Sequence, residues 1–209
     1  MTVTDLSCPR CGAIATPPSA WSSSWRCKQH GDIFPLRQVR SVSPEGLAGL
    51  TRNAVVPVLA SWPLPDGWLV TGFAAAGDER SGARATVVAL SGPNPLGGLA
   101  EMLLICEELG VGLGAWCAGL HGPDPGTEFP SCSPQAQVQF ANHELPLWLV
   151  DAPHCAAFAG ELLGGWLWIV LWPDTAGTLL VEPLRLLDLR DPGQDLDLPF
   201  GARSPRLPG

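Results

Sequence analysis

No apolar run in this chain is long enough to cross a bilayer as a helix. Its most apolar stretch, Leu162 to Trp172, covers eleven residues between Glu161 and Pro173, against the roughly 20 that a spanning helix needs. The amino-terminal residues Met1 to Ser7 lack the positive region and apolar core of a secretory signal, so cytoplasmic residence is the expectation. Lysine is almost missing, with Lys28 the only one, and the remaining basic residues are arginines. Also missing are the Gly-x-Ser-x-Gly elbow and the His-Glu-x-x-His helix, together with the Lys-Ser/Thr ending of a phosphate loop and the spacing of a dinucleotide fingerprint. Those reaction classes therefore have no sequence support. Positive charge is scarce overall: 12 Lys and Arg face 20 Asp and Glu, for a net charge of −8. Residues 1–52 hold six basic and three acidic side chains, which leaves −11 on residues 53–209. Such a surface repels polyanions, and this argues against nucleic acid as a partner of the whole chain.

What is present begins with cysteine. Seven is an odd number, and in a chain without a secretory signal this points to thiolate metal ligation at the clustered positions and free thiols elsewhere. Cys8-Pro9-Arg10-Cys11-Gly12 and Cys27-Lys28-Gln29-His30-Gly31 share one plan: two ligands, two residues between them, then Gly. A tight turn presents both ligands to one ion, and glycine after the second lets the backbone leave at positive φ. Fifteen residues separate the pairs, the length of a short hairpin whose return strand runs over Trp21 to Arg26. The prediction is a zinc ribbon in which Cys8, Cys11, Cys27 and His30 bind one structural Zn2+. A redox pair at Cys8 and Cys11 would need a strand before it and a helix after it, and neither is legible.

The remainder reads as an α+β body with a largely antiparallel sheet and few helices. Residues 1–52 form the ribbon module and its connector, residues 53–190 the body, and residues 191–209 an irregular tail broken by Pro192, Pro199, Pro205 and Pro208. Strands are expected at Trp68–Ala74 and Ala83–Leu90, with Gly77 to Gly82 turning the chain between them. Val55–Leu59 reads as an edge strand, Gln135–Phe140, Leu145–Val150, Ala156–Glu161 and Gly165–Trp172 as further strands, and Thr178–Val181 as the return of another hairpin. Trp166 and Trp168 share one strand face. Gly110 to Leu120 suggests a turn and a closely packed helix. The segment 99–109 stays open between helix and strand. As a helix it would be capped by Asn94, with Gly97 and Gly98 allowing an anion to approach the backbone; as a strand, the glycines would only close a loop.

Ser91 to Gly98 is the ligand-site candidate of the body. Its named members are Ser91, Asn94, Gly97 and Gly98, with Arg80 on the preceding turn as the cation to reach a bound anion. Adjacent carboxylates such as Glu107 and Glu108 diverge on either element and do not share one substrate. Two functions remain in play. The first is a non-enzymatic binding or regulatory protein with a protein partner; the second is an enzyme acting on a small anionic or acyl substrate at Ser91–Gly98.

Several motifs together carry a resemblance: Cys-Pro-x-Cys-Gly, Trp25-x-Cys27-x-x-His30-Gly31, Trp62-Pro63-Leu64-Pro65-x-Gly67-Trp68, Ala76-Gly77-Asp78-x-Arg80-Ser81-Gly82 and Trp166-Leu167-Trp168 with Leu171-Trp172-Pro173. By these the chain resembles, over nearly its whole length, an actinobacterial family recorded as a domain of unknown function. The resemblance implies relatives that share the ribbon module and brings no established activity.

Overall fold

Strands at the centre of this chain lose the usual in-out alternation because both of their faces are buried. The computed structural model describes residues 6–126, 129, 132–191 and 196–207; residues 1–5 and the loop and tail positions Pro192 and Pro208 lie outside them. The ribbon holds the short strands β1 (Trp25–Cys27) and β2 (Gly31–Ile33). Then come β3 (Leu36–Gln38), helix α1 (Pro44–Asn53), β4 (Leu59–Ser61), β5 (Leu69–Asp78), β6 (Gly82–Pro93) and β7 (Leu99–Glu107). A five-residue helix α2 (Leu113–Cys117) precedes β8 (Ala136–Phe140), β9 (His143–Val150), β10 (Ala156–Leu162) and β11 (Gly165–Trp172). A 3-10 helix, Asp174–Leu180, leads to β12 (Leu184–Asp188).

Ten strands lie in the order β3-β5-β6-β7-β11-β10-β9-β8-β12-β4. Neighbours pair antiparallel except β8 with β12. The α+β expectation of a mainly antiparallel sheet with few helices therefore holds. β4, last in the order, packs back on β6 and β7, so the sheet is rolled. Val88 and Leu90 of β6, Met102 and Leu104 of β7, and Leu167, Ile169 and Leu171 of β11 fill the inner face. Their neighbours Val87, Ala89, Leu103, Ile105, Trp168 and Val170 fill the outer one. This face is roofed by Leu113 and Ala115 of α2, by Leu36 of β3 and by Leu207 of the tail.

Residues 99–109 resolve to strand, not helix: β7 pairs with β6 from Leu99 to Glu107 and with β11 on its other side. A double-sided apolar strand has no period of two, which is why spacing did not separate it from a helix. Two expectations are corrected. Thr178–Val181 does not return as a strand but belongs to the 3-10 turn. Val55–Leu59 is not a strand as a whole: of it only Leu59 belongs to a strand, β4. In the connector the chain forms α1, where the Ser43 hydroxyl accepts the Gly46 N–H at 3.3 Å and Pro44 stands in the first turn, a capping arrangement the sequence carried openly. The tail is irregular yet anchored. Val70 donates to Pro199, Gly201 donates back to Val70, and Ser204 donates to Thr71, at 2.8 Å each, so the tail covers the part of β5 that β3 leaves unpaired.

Close approach at α2 gives a stability prediction. A Cβ on Gly114 would stand 2.2 Å from Cδ1 of Trp168, whose side chain is fully buried. The indole has no free direction to move, so Gly114→Ala should lower stability by about 2–3 kcal/mol. Urea unfolding monitored by tryptophan fluorescence measures it, and an unchanged midpoint would mean that α2 yields instead.

Candidate metal centre

Two knuckles converge because each turns on short backbone bonds. Gly12 donates to Cys8 O at 2.9 Å and Cys8 to Ala13 O at 2.8 Å, with Gly12 at φ 68 and Gly31 at φ 70, the left-handed geometry glycine adopts freely. β1 and β2 pair Cys27 with Gly31, which carries the second knuckle, and Thr16 and Arg26 exchange backbone bonds that bring the first hairpin arm alongside. The ligand atoms of Cys8, Cys11, Cys27 and His30 all lie within 4.8 Å of one another. Cys8 Sγ is 3.5 Å and Cys27 Sγ 3.6 Å from His30 Nδ1, and Cys11 Sγ is 3.8 Å from Cys27 Sγ. All four residues named from sequence come together, and they form the one Cys/His/carboxylate cluster of metal-site compactness among the described residues.

The thiols of the centre differ electrostatically. Burial pushes Cys8 up to about 12, with Cys27 and Cys11 adding and the Arg10 N–H opposing. At Cys27 burial also acts upward, but the N–H groups of Gln29 and His30, the His30 ring and Cys8 outweigh it and bring the thiol down to about 6. Cys27 thus ionises before Cys8. Ionising sulfurs this close together would call for a cation between them.

The ribbon is docked on the body. Leu36 donates to Ser7 O at 2.7 Å, and Gly77 of β5 to Pro35 O at 2.9 Å. Arg10, inside the first knuckle, donates from Nε to Val111 O at 3.1 Å and from Nη2 to Gly110 O. A Cβ on Gly12 would meet the Trp116 ring at 3.1 Å. Nothing in the residue spacing announced the Arg10 contact, which joins positions a hundred residues apart.

The Ser91–Gly98 candidate resolves differently. Asn94 closes a hairpin turn: Gly97 donates to Asn94 O, Asn94 to Gly98 O, and Leu96 to Asn94 Oδ1. The Asn94 amide reaches Thr175 Oγ1 at 3.0 Å. Ser91 Oγ donates to Glu101 at 2.7 Å and contacts Thr71 Oγ1 at 2.9 Å. Gly97 and Gly98 sit at φ 99 and 84 with open space around them. Arg80 is not brought to this loop. β5 and β6 pair Asp78 with Gly82 at one end and Leu69 with Ser91 at the other, so Arg80 and the loop are about 30 Å apart at ~3.3 Å per strand residue. Around Arg80, burial opposes ionisation of Asp78, but Ser81 and the Arg80 N–H hold its carboxyl below the usual value. Glu108 pairs with Arg84 at 2.7 Å, whereas Glu107 is buried against α2, so the adjacent carboxylates do diverge.

Glu107 is a residue that spacing arguments passed over. Its oxygens accept the N–H groups of Leu113 at 2.7 Å and Gly114 at 3.1 Å, capping α2, whose own N-cap Gly112 supplies no side chain. Burial raises it to about 7, the two N–H groups and the Trp168 indole opposing and Asp124 adding.

In comparisons with known proteins, no curated protein and no solved structure matches the chain. A family model described as a family of unknown function (DUF6758) matches residues 1–207, and the chain belongs to that family.

Proposed function

We propose that this is a non-enzymatic binding or regulatory protein of the cytoplasm, whose ribbon is locked by one structural zinc ion and serves as a docking module for a protein partner. The carrying observation is the set of edge distances at the cluster. A tetrahedral ion with zinc–sulfur bonds of about 2.3 Å and zinc–nitrogen bonds of about 2.0–2.1 Å requires sulfur–sulfur edges of about 3.8 Å and sulfur–nitrogen edges of about 3.6 Å; three of the six edges are 3.8, 3.5 and 3.6 Å, and the others lie within 4.8 Å. Borderline-soft ligands in this geometry favour zinc over hard cations. Four protein ligands leave no position for substrate or water, so the ion would act on stability and not on chemistry. All seven cysteines are free thiols, which suits a reducing compartment, and no described helix is long and apolar enough to cross a membrane.

Cobalt(II) substitution tests the closed site. The expected spectrum is that of a tetrahedral, thiolate-rich ion, unmoved by azide or cyanide at moderate excess; bands that shift with added anion would indicate an open, catalytic position. The enzyme reading at Ser91–Gly98 is the weaker one, because Asn94 and Ser91 are engaged within the fold and the glycines face open space. For nucleic acid we expect no submicromolar complex of the full chain at physiological salt. A tight complex with the steep salt dependence of phosphate contacts, measured by fluorescence anisotropy, would make the ribbon a nucleic-acid module.

A further inference from the structure

We propose that the groove between α2, the β9–β10 connection and the carboxyl-terminal tail binds a small aromatic carboxylate, held by the guanidinium of Arg206. The groove is open to solvent, offers about 420 Å³ and is walled by Trp116, Trp172, His154, Cys155 and Arg206, a volume within the range of small-ligand sites.

Charge separates it from the other grooves of the molecule. The groove beside the ribbon contains Asp32 and Asp78 next to Arg80. The one at the far end of the sheet contains Glu107 and Glu108, and its Arg190 is already paired with Asp188 at 2.7 Å. The groove under α1 contains Asp197. Among the described residues that line it, the groove at Arg206 has no carboxylate, so Arg206 gives it positive charge in a strongly acidic body.

Arg206 is held for this task without being neutralised. Its guanidinium lies 5.1 Å from the centroid of the Trp172 ring. Among the described residues it makes no side-chain hydrogen bond or ion pair, and only its backbone N–H is engaged, with Ser204. A cation–π contact of this kind holds the guanidinium beside the indole and leaves its N–H donors to grip a carboxylate with two parallel bonds. The tail that carries it is itself fixed by the Ser204 and Leu207 contacts. His154, exposed on the wall of the groove, has a left-handed backbone at φ 68, where glycine would serve the turn without strain. Trp116 offers an apolar wall for a flat ring.

The chemistry is binding and not covalent catalysis. Burial pushes the thiol of Cys155 up, with Arg206 opposing and Asp174 adding, and burial likewise raises Cys117. Both sulfurs are neutral at physiological pH, and it is the thiolate that attacks. They serve as lining.

The test uses the full, metal-loaded chain and two probes that share one ring and differ in the head group, the anionic para-trifluoromethylbenzoate and the neutral para-trifluoromethylbenzamide, observed by fluorine NMR. Benzoate should bind and benzamide bind at least about tenfold more weakly, the size of one lost charge-assisted bond. Arg206→Met should weaken benzoate by a similar factor, whereas Arg80→Met, at another groove, should leave it unchanged. Should Arg206→Met fail to fold, Arg206→Lys keeps the charge and loses the fork, and must still weaken the benzoate complex. No benzoate binding at millimolar probe, equal binding of the amide, or indifference to Arg206 would each overturn the proposal.

Discussion

Cys27→Ser should reduce bound zinc from one equivalent to near none after passage over a weak competing chelator, and should unfold the ribbon while the sheet persists. The reason is how little the ribbon buries. Between residues 6 and 35 the buried apolar side chains are Cys8, Pro9, Ala15, Cys27 and Pro35, and two of these are ligands. A segment with so small a core depends on its ion, whose apparent binding energy in comparable zinc modules is about 10–16 kcal/mol. The Cys27 thiol is also brought down to about 6, so its loss removes a readily ionised sulfur. The body keeps its two clusters. Hydrogen exchange should therefore show amides of residues 25–33 losing protection and those of β6 and β11 retaining it. Acid should mimic the substitution, since each thiolate must take up a proton as the ion leaves. Full zinc retention in Cys27→Ser, or a body that melts with the ribbon, would remove zinc or the ribbon's independence from the account.

The second large effect is expected at Glu107. Its folded pKa, about 7, lies above the ordinary glutamate value of 4.5, so between those values the folded chain binds more protons than the unfolded one. Stability then falls as pH rises through this window; the contribution is complete below 4.5 and gone above the folded pKa, a change of about 3 kcal/mol. Glu107→Gln does not titrate and should flatten this part of the profile. Glu107→Ala leaves the N–H groups of Leu113 and Gly114 buried without an acceptor, at about 1–3 kcal/mol each, and should expose α2 amides to exchange. Urea unfolding from pH 4 to pH 8 compares the three, and parallel profiles for wild type and Glu107→Gln would show that the carboxylate is not the titrating group. Because Arg10 of the first knuckle is bonded to Gly110 and Val111, loosening α2 should also loosen the seat of the ribbon.

The metal centre was legible because its information is local. Two ligand pairs, each followed by glycine, dictate two knuckles through backbone geometry alone, and the fifteen intervening residues allow only a short hairpin between them. The β5–β6 hairpin was legible for the same reason, with turn residues at Gly77 to Gly82 and apolar strands on either side. Helix α1 carried its cap in plain view at Ser43 and Pro44, and its weak apolar pattern masked it.

Everything that depends on which strand neighbours which was decided by tertiary structure. Residues 99–107 could have been helix or strand until β6 and β11 flanked them, because burial on both faces erases the period on which a sequence reading relies. Arg80 and the Ser91–Gly98 loop are near in sequence but stand at opposite ends of a long strand, whereas Trp116, His154, Trp172 and Arg206 are far apart in sequence and share one groove. Spacing along the chain sets local turns. Distances between segments follow from sheet order and rolling, which arise from the burial of many weak contacts at once and are written in no single stretch of residues.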